Sequence, residues 1–95
     1  MKLVIRAQAD AEYAETIAHY VLEETPQSAE RFEKAIKKAL AEIEQAPFLF
    51  REREDGLRFK PVKKFPYEIL YAVEHDEIIV VAYKHYARKT GYWRD

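Results

Sequence analysis

The stretch YEILYAVEHDEIIVVAYKH (67–85) predicts a β-hairpin around which the rest of the chain is arranged. Its two halves, 67–73 and 77–85, are rich in β-branched and aromatic residues, which favour strands. The polar triplet Glu74-His75-Asp76 between them fits a tight turn. Residues 78–83 are apolar at every position, so we expect the second strand to be central and covered on both faces.

A third strand is predicted just before this hairpin, in LRFKPV (57–62). Leu57 and Phe59 alternate with basic residues, so Arg58 must point away from the face that carries these two apolar side chains. Pro61 cannot donate a hydrogen bond to a neighbouring strand, which places this strand at an edge of the sheet.

The first half of the chain predicts one short strand, KLVIR (2–6), and two helices. Asp10 is expected to cap the first helix, and Thr25 with Pro26 to begin the second, which ends before Pro47. The apolar stripe of the first helix consists of Tyr13, Ala14, Ile17, Ala18 and Val21. That of the second consists of Ala29, Phe32, Ile36, Ala39, Leu40 and Ile43.

The order β-α-α-β-β-β predicts an α+β fold of two layers, in which an antiparallel helical hairpin covers one face of a small, mostly antiparallel sheet. At 95 residues we expect a single domain, 1–95. Only the tail after Tyr86 remains to cover the other face of the sheet. Tyr92 and Trp93 are therefore either a lid on that face or part of a binding site.

Composition excludes several classes of protein. The chain has no cysteine, so disulfides and thiolate metal sites are absent. The three histidines share no metal-ligand spacing, and we expect neither a metal nor a cofactor. The first residues lack the apolar run of a signal peptide, and no stretch is long enough to span a membrane, so we expect a cytoplasmic protein.

Positive charge is concentrated in two stretches, RFKPVKKFPY (58–67) and KHYARKTGYWR (84–94), each with four basic residues and no acid. They are candidates for an anion-facing surface. The alternative is that the lysines protect a sheet edge from aggregation. We expect the two stretches to lie side by side on the uncovered face of the sheet.

The C-terminal half contains G-x-R at residue 56, K-x-F-P-Y-x-I-x-Y, and then I-x-V-x-A-x-x-H-x-x-R-x-x-x-Y-W ending at residue 93. This pattern resembles the RelE/ParE superfamily of toxin–antitoxin toxins, especially the ParE-like branch, often labelled plasmid stabilisation proteins. The resemblance implies the same β-α-α-β-β-β fold and a bacterial toxin that inhibits growth. It also implies that a cognate antitoxin protein neutralises the toxin.

The resemblance leaves three functions open. A ParE-like toxin would bind a target such as DNA gyrase without chemistry of its own. A RelE-like toxin would cleave mRNA on the ribosome without a metal, and its catalytic residues here would be His85, Arg58 and Tyr86. The third possibility is an inactive homologue that only binds the antitoxin. The target-binding candidates in the two basic stretches are Arg58, Lys60, Lys64, Arg88, Tyr92 and Trp93.

The two helical stripes are larger than so small a sheet can cover. We therefore expect leftover apolar surface, which marks an interface. From it we predict that the isolated protein forms a homodimer or aggregates unless its antitoxin is present.

Overall fold

A computed structural model of the chain describes residues 1–94 and has the predicted α+β architecture of two layers. Short 3₁₀ turns lie at Glu54–Gly56 and Tyr92–Arg94. The principal elements are β1 (Lys2–Ile5), α1 (Ala7–Glu23), α2 (Pro26–Gln45), β2 (Arg58–Pro61), β3 (Tyr67–Glu74) and β4 (Glu77–His85). Within residues 1–94, no helix is both long enough and apolar enough to cross a membrane.

The four strands form one sheet in the order β1-β4-β3-β2. β1 pairs with β4 in parallel and the other pairs are antiparallel, so β4 is central and β2 lies at an edge, as predicted. The turn between β3 and β4 is reduced to His75 and Asp76, both with positive φ (50° and 63°). Two central turn residues of positive φ match the right-handed twist of the flanking strands.

A β-bulge decides which side chains of β4 face the helices. β4 has one extra residue, Val81, opposite the Leu70–Tyr71 step of β3. One extra residue reverses the alternation of faces beyond it. Tyr83 consequently packs into the core beneath the helices, and His85 faces a cleft beside α1.

The second helix agrees with its prediction. The Thr25 side chain accepts a hydrogen bond from the Ser28 backbone N–H at 3.0 Å, and Pro26 occupies the first turn. Its buried residues are Ala29, Phe32, Ile36, Ala39 and Ile43.

The first helix differs from its prediction at its start and in its buried face. It begins at Ala7 rather than after Asp10, because the chain leaves β1 with the Arg6 N–H bonded to the Val80 carbonyl and enters the helix at once. Asp10 therefore lies in the first turn, where a negative charge interacts favourably with the helix dipole. The buried residues are Ala9, Thr16 and Tyr20, whereas three members of the predicted stripe, Ala14, Ala18 and Val21, are exposed. Thr16 can be buried because its hydroxyl donates to the Glu12 carbonyl at 2.9 Å.

The tail covers the face of the sheet that the helices leave open. Trp93 is 8% exposed, and its ring lies 6.0 Å from that of Phe59, edge to face. Of the two roles left open by the sequence, Trp93 has that of a lid. The residues that cluster with it are Leu57, Phe59, Leu70, Ala72, Val81 and Ala82.

One carboxylate joins α1, β4 and this tail. β1 pairs with β4 only as far as Val80, so the Tyr83 N–H further along β4 has no strand partner on that side. That N–H donates to Glu12 Oε1 at 2.9 Å, and the Tyr92 hydroxyl donates to Glu12 Oε2 at 2.5 Å. Burial and this hydrogen bond raise the pKa of Tyr92, and burial raises the pKa of Tyr83 to about 12.

Replacing Phe32 with alanine should lower the free energy of unfolding by about 3–5 kcal/mol, because a fully buried aromatic ring leaves a cavity. Urea unfolding followed by circular dichroism measures this. Leu22→Ala is the control: its side chain is 77% exposed, and its change should stay within about 0.5 kcal/mol. Equal losses in the two variants would contradict the described core.

Stability should fall at alkaline pH. A tyrosine whose pKa is raised by folding contributes stability that is complete below the unfolded pKa of about 10 and is lost above it. The unfolding free energy should therefore decrease between about pH 9 and pH 12, and Tyr92→Phe should show a shallower decrease. The comparison variant Tyr86→Phe removes a half-exposed phenol outside this hydrogen bond, and the slope of Tyr92→Phe is measured against it. If the unfolding free energy of Tyr92→Phe falls with pH as steeply as that of the wild type, the result would contradict the hydrogen bond from Tyr92 to Glu12.

Candidate functional site

The two basic stretches do not form the single surface that we expected. Arg58 pairs with Tyr71 of β3, whereas His85 pairs with Tyr67, four residues along the same strand, which is about 13 Å at the usual rise per residue. β3 also separates the two paired strands. Arg58 does point away from Leu57, but the side it points to carries the helices and is not the open face. Trp93 covers the open face of the sheet, and the other predicted residues are divided among three places.

The first place is the edge strand β2, where the side chain of Arg58 contacts other parts of the protein. Its Nη1 donates to the carbonyl of Phe50 at 2.5 Å, and its guanidinium lies 5.2 Å from the ring centre of Phe48. Arg58 thus holds the loop that follows α2 against the sheet.

The second place is a cleft of about 250 Å³ between α1 and the end of β4, here called the His85 cleft. Its side chains are polar or aromatic and include two carboxylates and two imidazoles. They are Glu12, Glu15, Thr16, His19, Tyr67, Tyr83, His85 and Arg88. The cleft can therefore both donate and accept hydrogen bonds.

His85 and Arg88 are oriented by contacts at the edge of this cleft. His85 Nδ1 accepts the Ala87 N–H at 2.9 Å, which leaves the proton of the neutral ring on Nε2. The ring also lies edge-on to Tyr67 at 5.0 Å. The guanidinium carbon of Arg88 lies 3.8 Å from the ring centre of Tyr92, so the cation is attracted to the face of the aromatic ring.

The turn after β4 presents one aromatic side chain to solvent. Tyr86 is 52% exposed, and its backbone N–H donates to the Pro66 carbonyl at 2.9 Å. Beneath it, Lys84 is buried and its Nζ donates to the carbonyls of His85 and Tyr86 at 3.2 and 3.4 Å. Lys84 therefore fixes the turn, and Tyr86 is free to contact a partner.

The third place is a groove between α2 and the β2–β3 turn, with a volume of about 380 Å³, here called the lysine groove. Lys60 and Lys64 lie in it, together with Lys38 and Lys63. Lys60 Nζ forms an ion pair with Glu42 at 3.2 Å. The groove is lined on one side by a helix and on the other by the edge strand and the turn that follows it.

Six residues of the His85 cleft were not predicted as site residues: Tyr67 and Tyr83 of the sheet, and Glu12, Glu15, Thr16 and His19 of α1. The four on α1 share a pattern. They lie at i, i+3, i+4 and i+7 of α1, so they share one helix face. A polar stripe at this spacing, directly beside the apolar residues of the same helix, was the available signal. The sequence did not show which end of the sheet the stripe would reach.

The matches to known proteins agree with this fold. The family model for the ParE toxin of the type II toxin–antitoxin system parDE matches residues 3–89. Eleven chains of solved structures match as well. One belongs to the chromosomal ParDE TA system from P. aeruginosa; it is 22% identical, with a TM-score of 0.79, over 90% of this chain and 95% of that chain. At this identity the likeness establishes the fold alone. No curated protein matches the sequence significantly. Because the family model covers most of the sequence, the chain belongs to the ParE toxin family of type II toxin–antitoxin systems.

Proposed function

We propose that this protein inhibits growth by binding a protein target such as DNA gyrase, and that a cognate antitoxin neutralises it. Membership of the ParE toxin family supports the general role. The choice of binding over catalysis rests on one observation, the separation of Arg58 from His85.

Cleavage of RNA without a metal needs a proton-transfer group and cations that stabilise the phosphate in the transition state. His85 has Arg88 near it, but the Arg58 side chain is bound to the Phe50 carbonyl elsewhere. The cleft also contains the carboxylates of Glu12 and Glu15, which repel a phosphate. These features favour a site that binds polar groups of a protein over a nuclease centre.

Exposed apolar side chains support an antitoxin as partner. They lie at opposite ends of the helical hairpin, where Val21 and Leu22 are 46% and 77% exposed, and Phe48 and Leu49 are 59% and 73% exposed. Apolar side chains grouped on a surface mark sites of association. We propose that the antitoxin covers both groups, and that the chain self-associates through them when it is alone.

Induction of the protein alone in bacteria should arrest growth, and co-expression of its antitoxin should relieve the arrest. If the target is gyrase, DNA breaks and an SOS response should follow while transcripts remain intact. Pulsed-field electrophoresis and sequencing of transcript ends measure the two outcomes. Cleaved transcripts with intact DNA would contradict the proposal and favour the nuclease.

Substitutions in the His85 cleft separate binding from catalysis. His85→Ala should retain growth arrest, because a binding mechanism needs no proton transfer. Arg88→Gln should weaken target binding roughly ten- to a hundredfold, the usual loss for a hydrogen bond to a charged group.

The control for the loss of charge is Arg51→Gln, which removes an exposed arginine outside the cleft and should behave like wild type. Circular dichroism and antitoxin binding confirm that each variant is folded. Loss of arrest in a folded His85→Ala protein that still binds the target would contradict the binding mechanism.

A further inference from the structure

The lysine groove contains four lysines and one glutamate, so it gathers more positive charge than its own acidic residue can neutralise. Within residues 1–94, no described carboxylate forms an ion pair with Lys38, Lys63 or Lys64. The groove's acidic residue, Glu42, is already paired with Lys60, whose side chain is only 14% exposed. The groove therefore presents three uncompensated ammonium groups.

Other lysines of the same helix are arranged differently. Lys34 pairs with Glu30 at 3.6 Å and Lys37 with Glu33 at 3.9 Å, each one helical turn away. Such i,i+4 pairs are the ordinary surface arrangement. Lys38 lies on the adjacent face of α2, toward the groove, and lacks such a pair among the described residues.

The backbone holds two of the lysines outward. Val62 is 2% exposed, and its carbonyl accepts the Phe65 N–H at 3.2 Å, so both ends of the turn are anchored in the core. Lys63 and Lys64 project between these anchors. Lys64 has a φ of 69°, a conformation that glycine adopts without strain and other residues adopt at a cost. The side chain of Lys64 therefore starts from a defined turn conformation and is exposed to solvent.

Protection of the sheet edge explains only part of this arrangement. Lysine and proline on an edge strand discourage pairing with another chain, which suits Lys60 and Pro61. Protection of the edge does not account for Lys38, which lies on α2 and lines the groove from the helical layer.

The groove's lining selects among anionic partners. Its apolar part consists of Ala35, Ala39 and Pro61. Among the described residues that line it there is no aromatic ring on which a base could stack. The whole chain has a formal net charge of −1 and a pI near 6.3, whereas domains that bind nucleic acid are usually strongly basic. Small apolar side chains between ammonium groups fit a peptide in which carboxylates alternate with small apolar residues.

We infer that the lysine groove binds an acidic segment of a protein partner. The carboxylates of the segment contact Lys38, Lys63 and Lys64, and its small side chains lie on Ala35 and Ala39. This inference rests on the proposed function only in taking the partner to be a protein. Binding of a peptide to the purified chain does not depend on growth arrest, so either proposal can fail without the other.

The test is fluorescence anisotropy with a fluorescein-labelled synthetic peptide of alternating Glu and Ala. The purified protein should bind it, and binding should weaken with added salt because the contacts are exposed. The double variant Lys63→Gln/Lys64→Gln should bind about tenfold more weakly. The same peptide with Gln in place of Glu should not bind measurably.

The matched control is Lys34→Gln/Lys37→Gln, which removes the same charge from the same molecule outside the groove and should keep the wild-type affinity. Urea unfolding verifies that both variants are folded. Equal affinity in the two double variants, or no binding of the acidic peptide to the wild type, would overturn the inference. Tighter binding of an oligothymidylate of equal length would overturn it in favour of nucleic acid.

Discussion

The Glu12 carboxylate is the contact on which the arrangement of the other elements depends. One oxygen accepts the Tyr83 N–H, which β1 is too short to reach, and the other accepts the Tyr92 hydroxyl. A buried N–H without a partner destabilises a protein by roughly the desolvation energy of that group, about 1–3 kcal/mol. Glu12 removes that penalty and in the same step fixes α1 against β4 and the tail against both. Trp93 follows Tyr92 and is thereby brought over the open face of the sheet.

The bulge at Val81 sets the chemistry of the site. Strict alternation from Val80 would turn Ala82 and Lys84 toward the helices and Tyr83 and His85 away from them. The extra residue reverses this, so an imidazole enters the cleft beside α1 and the long side chain of Lys84 folds beneath the following turn. The site is thus built by a local irregularity of the central strand. Bulges often lie next to functional sites, where they redirect side chains.

The division of positive charge into separate places bears on what the protein can do. A single strongly positive face would attract RNA or DNA without regard to sequence. Here Arg58 braces a loop, Arg88 lies on Tyr92 beside two carboxylates, and the lysines form a groove of their own. Small surfaces of mixed charge suit recognition of particular protein partners, in which complementary charges select the partner and its orientation. This agrees with membership of a toxin family whose systems include an antitoxin.

The sequence by itself determined the order of elements, the second helix with its Thr25 cap, the central position of β4, and the edge position of β2. These follow from local periodicity and from the chemistry of single residues such as Pro61. The motifs of its C-terminal half also pointed to the family. Only the tertiary structure decided that the helices cover the side of the sheet to which Arg58 points, that β4 changes face at Val81, and that Glu12 meets Tyr92 from eighty positions away. The physical reason is that strand register and side-chain pairing between distant segments are settled by packing of the whole core, which no local pattern encodes.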